Sequence, residues 1–423
     1  MGMGIDVDHP KASSDVSLHI RITGCQPSQS VEVRLEGQDQ AGADFRSWAT
    51  FIADAEGTVD LTTQAPQSGT YSGVDPMGLF WSMNPTRRKT SRFTGNDIPS
   101  ISFVLSATAG EEQPVACAIE RYFWDPETGV RRQPVQDDGL VGTFFCPSSG
   151  GPHAAVIVLG GSDGGLHEAS AALLANHGLA TLALAYFGTT PLPAALVEVP
   201  LEYCSRAIDW LAGQQAVDEN RIGLMGWSKG GELALLAAAT FPESIRAVAA
   251  LSPSSVVWQG ISGGGRLPKK ACWSRDGQSL PYVPMRVGFL TLLKMIFGFK
   301  YSLLSSYGNS LTNTTAVEAA RIPVENIAAP ILLVSGSDDA LWPAPQMCEQ
   351  IVANLEQRGH PYSHEHVCYQ RAGHAFRTPY LPSNKEQRRD RILFGGRPDD
   401  NARACAESWE KVIEFFSQHL LLH

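Results

Sequence analysis

At 423 residues, with hydrophobic side chains at 43% and charged ones at 18%, the chain is too long for one ordinary core and apolar enough for two, which excludes general disorder. A net charge of -10, from 33 Lys and Arg against 43 Asp and Glu, repels phosphate backbones and anionic headgroups and argues against a nucleic-acid partner. The eight cysteines are scattered, with no CxxC pair and no histidine at ligand spacing. They point to neither a disulfide scaffold nor a bound metal, and they suit reduced thiols in the cytoplasm.

Met1, Gly2, Met3, Gly4, Ile5 and Asp6 provide no basic start followed by an apolar run. No later stretch reaches the roughly 18 apolar residues of a membrane span, so a chain neither secreted nor membrane-spanning is expected. The ending Leu420, Leu421, Leu422, His423 is no peroxisomal address. Apolar residues then alternate at Val16, Leu18, Ile20 and Ile22 and at Val31, Val33 and Leu35, the period of half-buried strands. Asp54, Ala55, Glu56 and Gly57 separate two strand-like runs as a hairpin loop would. Further strand-like segments at 101–105 and 116–124 complete a predicted β-sandwich over residues 8–137, with the Gly- and Pro-rich piece 69–85 as a long loop.

From residue 138 to 423 strands and helices alternate, which requires crossover connections and a mostly parallel sheet covered by helices. Strands are expected at 156–159, 180–185, 222–225, 247–251, 331–334 and 364–369, and helices at 168–177, 201–212, 230–239, 345–356 and 404–419. The predicted class is α/β, a doubly wound sheet behind an all-β domain, interrupted at 252–325.

Gly226, Trp227, Ser228, Lys229 and Gly230 form a GxSxG between a predicted strand and a helix rich in alanine and leucine. In that setting the two glycines relieve a sharp turn that lifts the serine oxygen above the sheet, as in α/β-hydrolases. The helix N-terminus beneath it stabilises developing negative charge. Gly260, Ile261, Ser262, Gly263 and Gly264 repeat the pattern, but they lie far from the preceding strand, and Gly265, Arg266, Leu267 and Pro268 cannot start a helix. Ser228 is therefore the predicted nucleophile.

Acid and base follow such a serine in the order Asp or Glu, then His, each in a loop after a later strand. Ser337, Asp338 and Asp339 follow one strand, and Arg371, Ala372, Gly373 and His374 follow another. His374 is the predicted base. Asp339 is favoured as the acid over Asp338, because Gly336-x-x-Asp339 with Pro343 four residues on has the shape of this loop in hydrolases. His364 and His366 alternate within a strand and are set aside. The expected oxyanion donors are the N–H of Lys229 and, from the loop Gly160-Gly161-Ser162-Asp163-Gly164-Gly165, that of Ser162, with Asp163 and Gly164 as neighbours in contention.

These residues resemble the type I acyl-CoA thioesterases and bile acid-CoA:amino acid N-acyltransferase over almost the whole chain. The amino-terminal part is similar at Leu18 to Gly24, at Ala53 to Leu61 and at Gly69 to Leu79. The later part is similar at Gly164, Gly165, Leu166, His167 and Glu168, at Leu184, Ala185 and Tyr186, at Ser228 to Leu233, at Asp338, Asp339 and Trp342, at Gly373 and His374, and at Gly395 and Gly396. The resemblance implies a β-sandwich before an α/β-hydrolase domain, hydrolysis of acyl-CoA to free acid and CoA without a cofactor, and a triad falling on Ser228, Asp339 and His374. The family's conjugating member carries cysteine as nucleophile, so Ser228 favours hydrolysis over transfer to an amino acid or other amine. A carboxylesterase or lactone hydrolase would use the same triad.

The expected partner is an acyl-CoA or other acyl thioester, on a monomer or small homo-oligomer. Within 255–318, the run from Arg286 to Phe297 is more apolar than the resemblance leads one to expect. It reads either as an amphipathic helix packed on the core or as a lid lining an acyl pocket.

Overall fold

The computed structural model describes all residues except 1, 88–98, 126, 128, 149, 264–266, 384–387, 390, 422 and 423. Gly264, which closes the second GxSxG, and its followers Gly265 and Arg266 lie outside the described residues. The chain divides into two compact units: residues 1–125, 377–386 and 401–406 form one, and 126–376, 387–400 and 407–423 the other.

In the first unit a seven-stranded sheet holds Ser30–Gln38, Asp44–Ile52, Ser100–Ala109 and Val115–Tyr122 side by side, and a three-stranded sheet joins Gly4–Val7, Ile20–Thr23 and Val59–Asp60. The alternation read from sequence is the burial pattern: Val31, Val33 and Leu35 are wholly buried while Arg34 and Glu36 face water. The loop at Asp54 is not a hairpin. Asp44–Ile52 pairs with Ser30–Gln38, whereas Val59–Asp60 pairs with Ile20–Thr23 in the other sheet. Asp54 Oδ1 accepts from the N–H groups of Glu56 and Thr58, local turn chemistry that serves a sheet-to-sheet crossing as well as a hairpin. Residues 69–85 are likewise more than a loop, because Leu79, Phe80 and Trp81 bury themselves on a short helix, Gly78–Trp81.

The second unit is built on eight strands: β1 (Val130–Val135), β2 (Val141–Pro147), β3 (His153–Leu159), β4 (Ala180–Ala185), β5 (Val217–Trp227), β6 (Ala247–Leu251), β7 (Ile331–Gly336) and β8 (His364–Tyr369). Their order in the sheet is β1-β2-β4-β3-β5-β6-β7-β8, antiparallel at β1–β2 and β2–β4 and parallel elsewhere. The helices are α1 (Glu168–Asn176), α2 (Leu201–Ala212), α3 (Lys229–Thr240), α4 (Phe289–Ile296), α5 (Leu304–Leu311), α6 (Thr314–Ala320), α7 (Ala344–Gln357) and α8 (Pro398–Phe416). This is an α/β-hydrolase sheet. β4, β6 and β7 are buried along their whole length, as strands covered on both faces are.

β1, which precedes residue 138, is hydrogen-bonded into this sheet. Its anchor is a buried carboxylate. Glu168, at the start of α1, receives two 2.8 Å bonds from Arg132 of β1 and a 2.6 Å bond from Thr143 of β2. Among the described residues no helix is long and apolar enough to cross a membrane. The segment between β6 and β7 carries α4, α5 and α6, and α4 buries only Thr291.

Candidate active site

The nucleophile loop is shaped by what its glycines lack. β5 runs into Ser228, which sits at φ 53°, ψ -115°, and α3 begins at the next residue. A Cβ on Gly226 would lie 2.1 Å from the Gly230 carbonyl oxygen, and one on Gly230 would lie 2.3 Å from the carbonyl oxygens of Leu159 and Gly160. No side chain can occupy such separations, so β5 turns this tightly into α3, and α3 approaches the end of β3 this closely, only because both positions are glycine. Ser228 N–H donates to Leu251 O at 2.8 Å, tying the turn to β6. The strained serine is thus held from both sides.

His374 and Asp339 come from the loops after β8 and β7. His374 Nε2 lies 2.9 Å from Ser228 Oγ, and its Nδ1 lies 2.7 Å from Asp339 Oδ2. Both residues are buried. Asp339 Oδ1 accepts from the N–H groups of Leu341 (2.8 Å) and Trp342 (3.2 Å), so the carboxylate is fixed with one oxygen left for the imidazole. Asp338 is exposed and its carboxylate accepts from Ser337 Oγ at 3.4 Å. The structure therefore brings Asp339, and not Asp338, to His374. The ring is further held by edge contacts from Trp342 (5.5 Å) and Phe394 (5.7 Å), and its backbone carbonyl accepts from Ser252 Oγ at 2.9 Å. His366 instead pairs with Ser335 Oγ at 2.7 Å, and burial lowers its pKa.

Of the expected oxyanion donors, the N–H of Lys229 opens α3, where an amide has no intrahelical acceptor and the helix dipole is positive. Ser162 is exposed in the turn after Gly161, and a Cβ on Gly161 would stand 3.6 Å from Ser228 Cβ. That turn is held from below by Tyr186, whose hydroxyl donates to Gly160 O at 2.5 Å. Burial pushes the Tyr186 phenol well above its ordinary pKa, so it stays a donor. His167, just before α1, stacks at 5.5 Å on Trp227 at the end of β5.

The side chain of Lys229 turns away from the hydroxyl into the core. Its Nζ lies 2.8 Å from Glu232 Oε2 and 5.6 Å from the centre of the Trp342 ring. Glu232 Oε1 accepts from Trp258 N–H (3.1 Å) and Trp273 Nε1–H (2.8 Å). The pair is essentially inaccessible to water, and through Trp342 it backs the ring that packs on His374. A charged residue in the otherwise apolar Leu233-Ala234-Leu235-Leu236-Ala237-Ala238 helix is the sequence signal for such a partner. Glu232→Ala would leave the ammonium and two N–H groups buried without acceptors. A loss of about 3–5 kcal/mol is expected, read by urea unfolding of the full chain; a midpoint equal to that of the parent protein would refute the assignment.

Comparison with known proteins follows the same lines. Residues 199–422 match the family described as BAAT / Acyl-CoA thioester hydrolase C terminal, and residues 15–137 match Acyl-CoA thioester hydrolase/BAAT N-terminal region. The chain is 32% identical over 416 residues to acyl-coenzyme A thioesterase 1 of Mus musculus, covering 96% of this chain and 94% of that one. Against acyl-coenzyme A thioesterase 6 of Homo sapiens the identity is 30% over 419 residues, with the same coverage. Among solved structures, the dienelactone hydrolase from Anabaena variabilis superposes with a TM-score of 0.40 at 19% identity, covering 69% of this chain and 99% of that one.

Proposed function

The chain belongs to the acyl-CoA thioester hydrolase/BAAT family, and from that premise we propose that Ser228, His374 and Asp339 cleave acyl-CoA to free acid and coenzyme A. The observation that carries this reading is the unbroken hydroxyl–imidazole–carboxylate chain, 2.9 Å and 2.7 Å in its two links.

Ser228 Oγ attacks the thioester carbonyl carbon as His374 Nε2 takes its proton, and Asp339 stabilises the imidazolium through Nδ1. The N–H groups of Lys229 and Ser162 receive the oxyanion. Collapse breaks the carbon–sulfur bond, and His374 returns the proton to the departing thiolate. Water, deprotonated by the same nitrogen, then releases the acid and restores the serine.

Serine as nucleophile supports water, rather than an amine, as the final acceptor. Localisation in the cytoplasm suits the eight cysteines, none of which forms a disulfide.

The test is thiol release from acyl-CoAs of graded chain length, with and without glycine or taurine, beside p-nitrophenyl esters. Thiol release without amine is the expected result. Amide formed only when amine is supplied would make the protein a transferase, and turnover of oxygen esters alone would make it a carboxylesterase.

A further inference from the structure

We propose that α4 and the turn after it form a surface that lies on an anionic lipid bilayer. Phe289, Leu290, Ile296, Phe297 and Phe299 are each between 64% and 72% exposed, and α4 buries only Thr291. Soluble monomers rarely leave so many large apolar side chains together in water, and where they do the patch marks an interaction site.

The charge around the patch says what covers it. From Gly277 to Val317 there is no Asp or Glu, although the whole chain carries a net charge of -10. The cations Arg286, Lys294 and Lys300 are all exposed in this stretch. Arg391 adds its guanidinium beside Gly298, where a Cβ would stand 2.8 Å from Arg391 Nη1. Phenylalanine and leucine interspersed with lysine and arginine is the make-up of a segment that sinks its apolar side chains to the acyl boundary while cations meet phosphate headgroups. At eight residues α4 is about 12 Å long, too short to cross a bilayer whose apolar layer is about 30 Å thick, so it lies on the surface. A second copy docked by two-fold symmetry on this patch would bring cations against cations. The rest of the protein carries the net negative charge, so a stretch with cations and no carboxylate approaches an anionic surface with less repulsion.

Flotation of the full-length protein with vesicles of phosphatidylcholine alone, and of phosphatidylcholine with phosphatidylserine, tests this. Binding at least about tenfold tighter to the phosphatidylserine vesicles is expected, weakening as salt is raised. Phe289→Ser/Ile296→Ser/Phe297→Ser should weaken binding to those vesicles by about tenfold or more. Lys294→Glu/Lys300→Glu should remove the preference for phosphatidylserine. The charge reversal decides the matter even if the triple variant folds poorly, and near-UV circular dichroism reports folding in each. Absence of flotation with either vesicle, or equal flotation of the parent and both variants, overturns the proposal. So does a lipid-free dimer in sedimentation velocity that Phe297→Ser disperses while vesicle binding is absent, a result that would give the patch to a second copy.

Discussion

Ser228→Ala is expected to lower kcat for acyl-CoA hydrolysis by about a millionfold while leaving the unfolding midpoint where it is. The loss is large because the oxygen is the attacking atom, the one from which His374 takes the proton. The fold is spared because, among the described residues, Ser228 Oγ hydrogen-bonds to His374 Nε2 alone, whereas the turn itself is held by its backbone, through Ser228 N–H to Leu251 O and Glu232 N–H to Ser228 O. Acyl-CoA should still bind, since the thioester carbonyl keeps its oxyanion donors. Steady-state turnover beside equilibrium binding of a non-hydrolysable acyl-CoA checks both halves. Turnover near that of the parent protein would remove the covalent mechanism.

Asp339→Asn should cost about 10⁴-fold in kcat, and Asp338→Asn less than about twofold. The asymmetry follows from hydrogen bonding. Asp339 Oδ1 already accepts from the N–H groups of Leu341 and Trp342, so an asparagine there keeps its carbonyl oxygen on those donors and turns its NH₂ toward His374 Nδ1. The imidazole must then accept at Nδ1 and carry its proton on Nε2, which faces Ser228 Oγ and can no longer take a proton from it. Asp338 is exposed and does not touch the imidazole, so its neutral counterpart changes little. Equal losses at the two positions, measured as kcat on one acyl-CoA, would contradict this geometry.

The reading of Ser228 from sequence works because Gly226 answers a local demand. The strand, the turn and the helix around it are consecutive, and the clash that a side chain at Gly226 would create with Gly230 arises within that single unit, whereas one at Gly230 would meet the end of β3. The limits of β4, α2, β6 and β8 likewise coincide with those expected from the sequence. Glu232 and Tyr186 are less legible, since their partners, Trp258 and Trp273 for one and the Gly160 carbonyl for the other, arrive from distant segments.

Local periodicity and motif order determined, from the sequence alone, most strands and helices of a mostly parallel α/β sheet behind strand-rich residues, and a serine on a strand-to-helix turn with acid and base loops after it, but not β1, β2, α5, α6 or the short helix Gly78–Trp81. Tertiary structure supplied the contact by which Asp339, already favoured over its neighbour, reaches the imidazole, and decided alone that the chain at Asp54 crosses between sheets instead of folding back and that the apolar run after Arg286 faces outward. The physical reason is common to all three. A residue's period reports which side of its own element avoids water, whereas the partner it meets is set by segments tens of residues away, whose approach is governed by packing and hydrogen bonding across the assembled sheet.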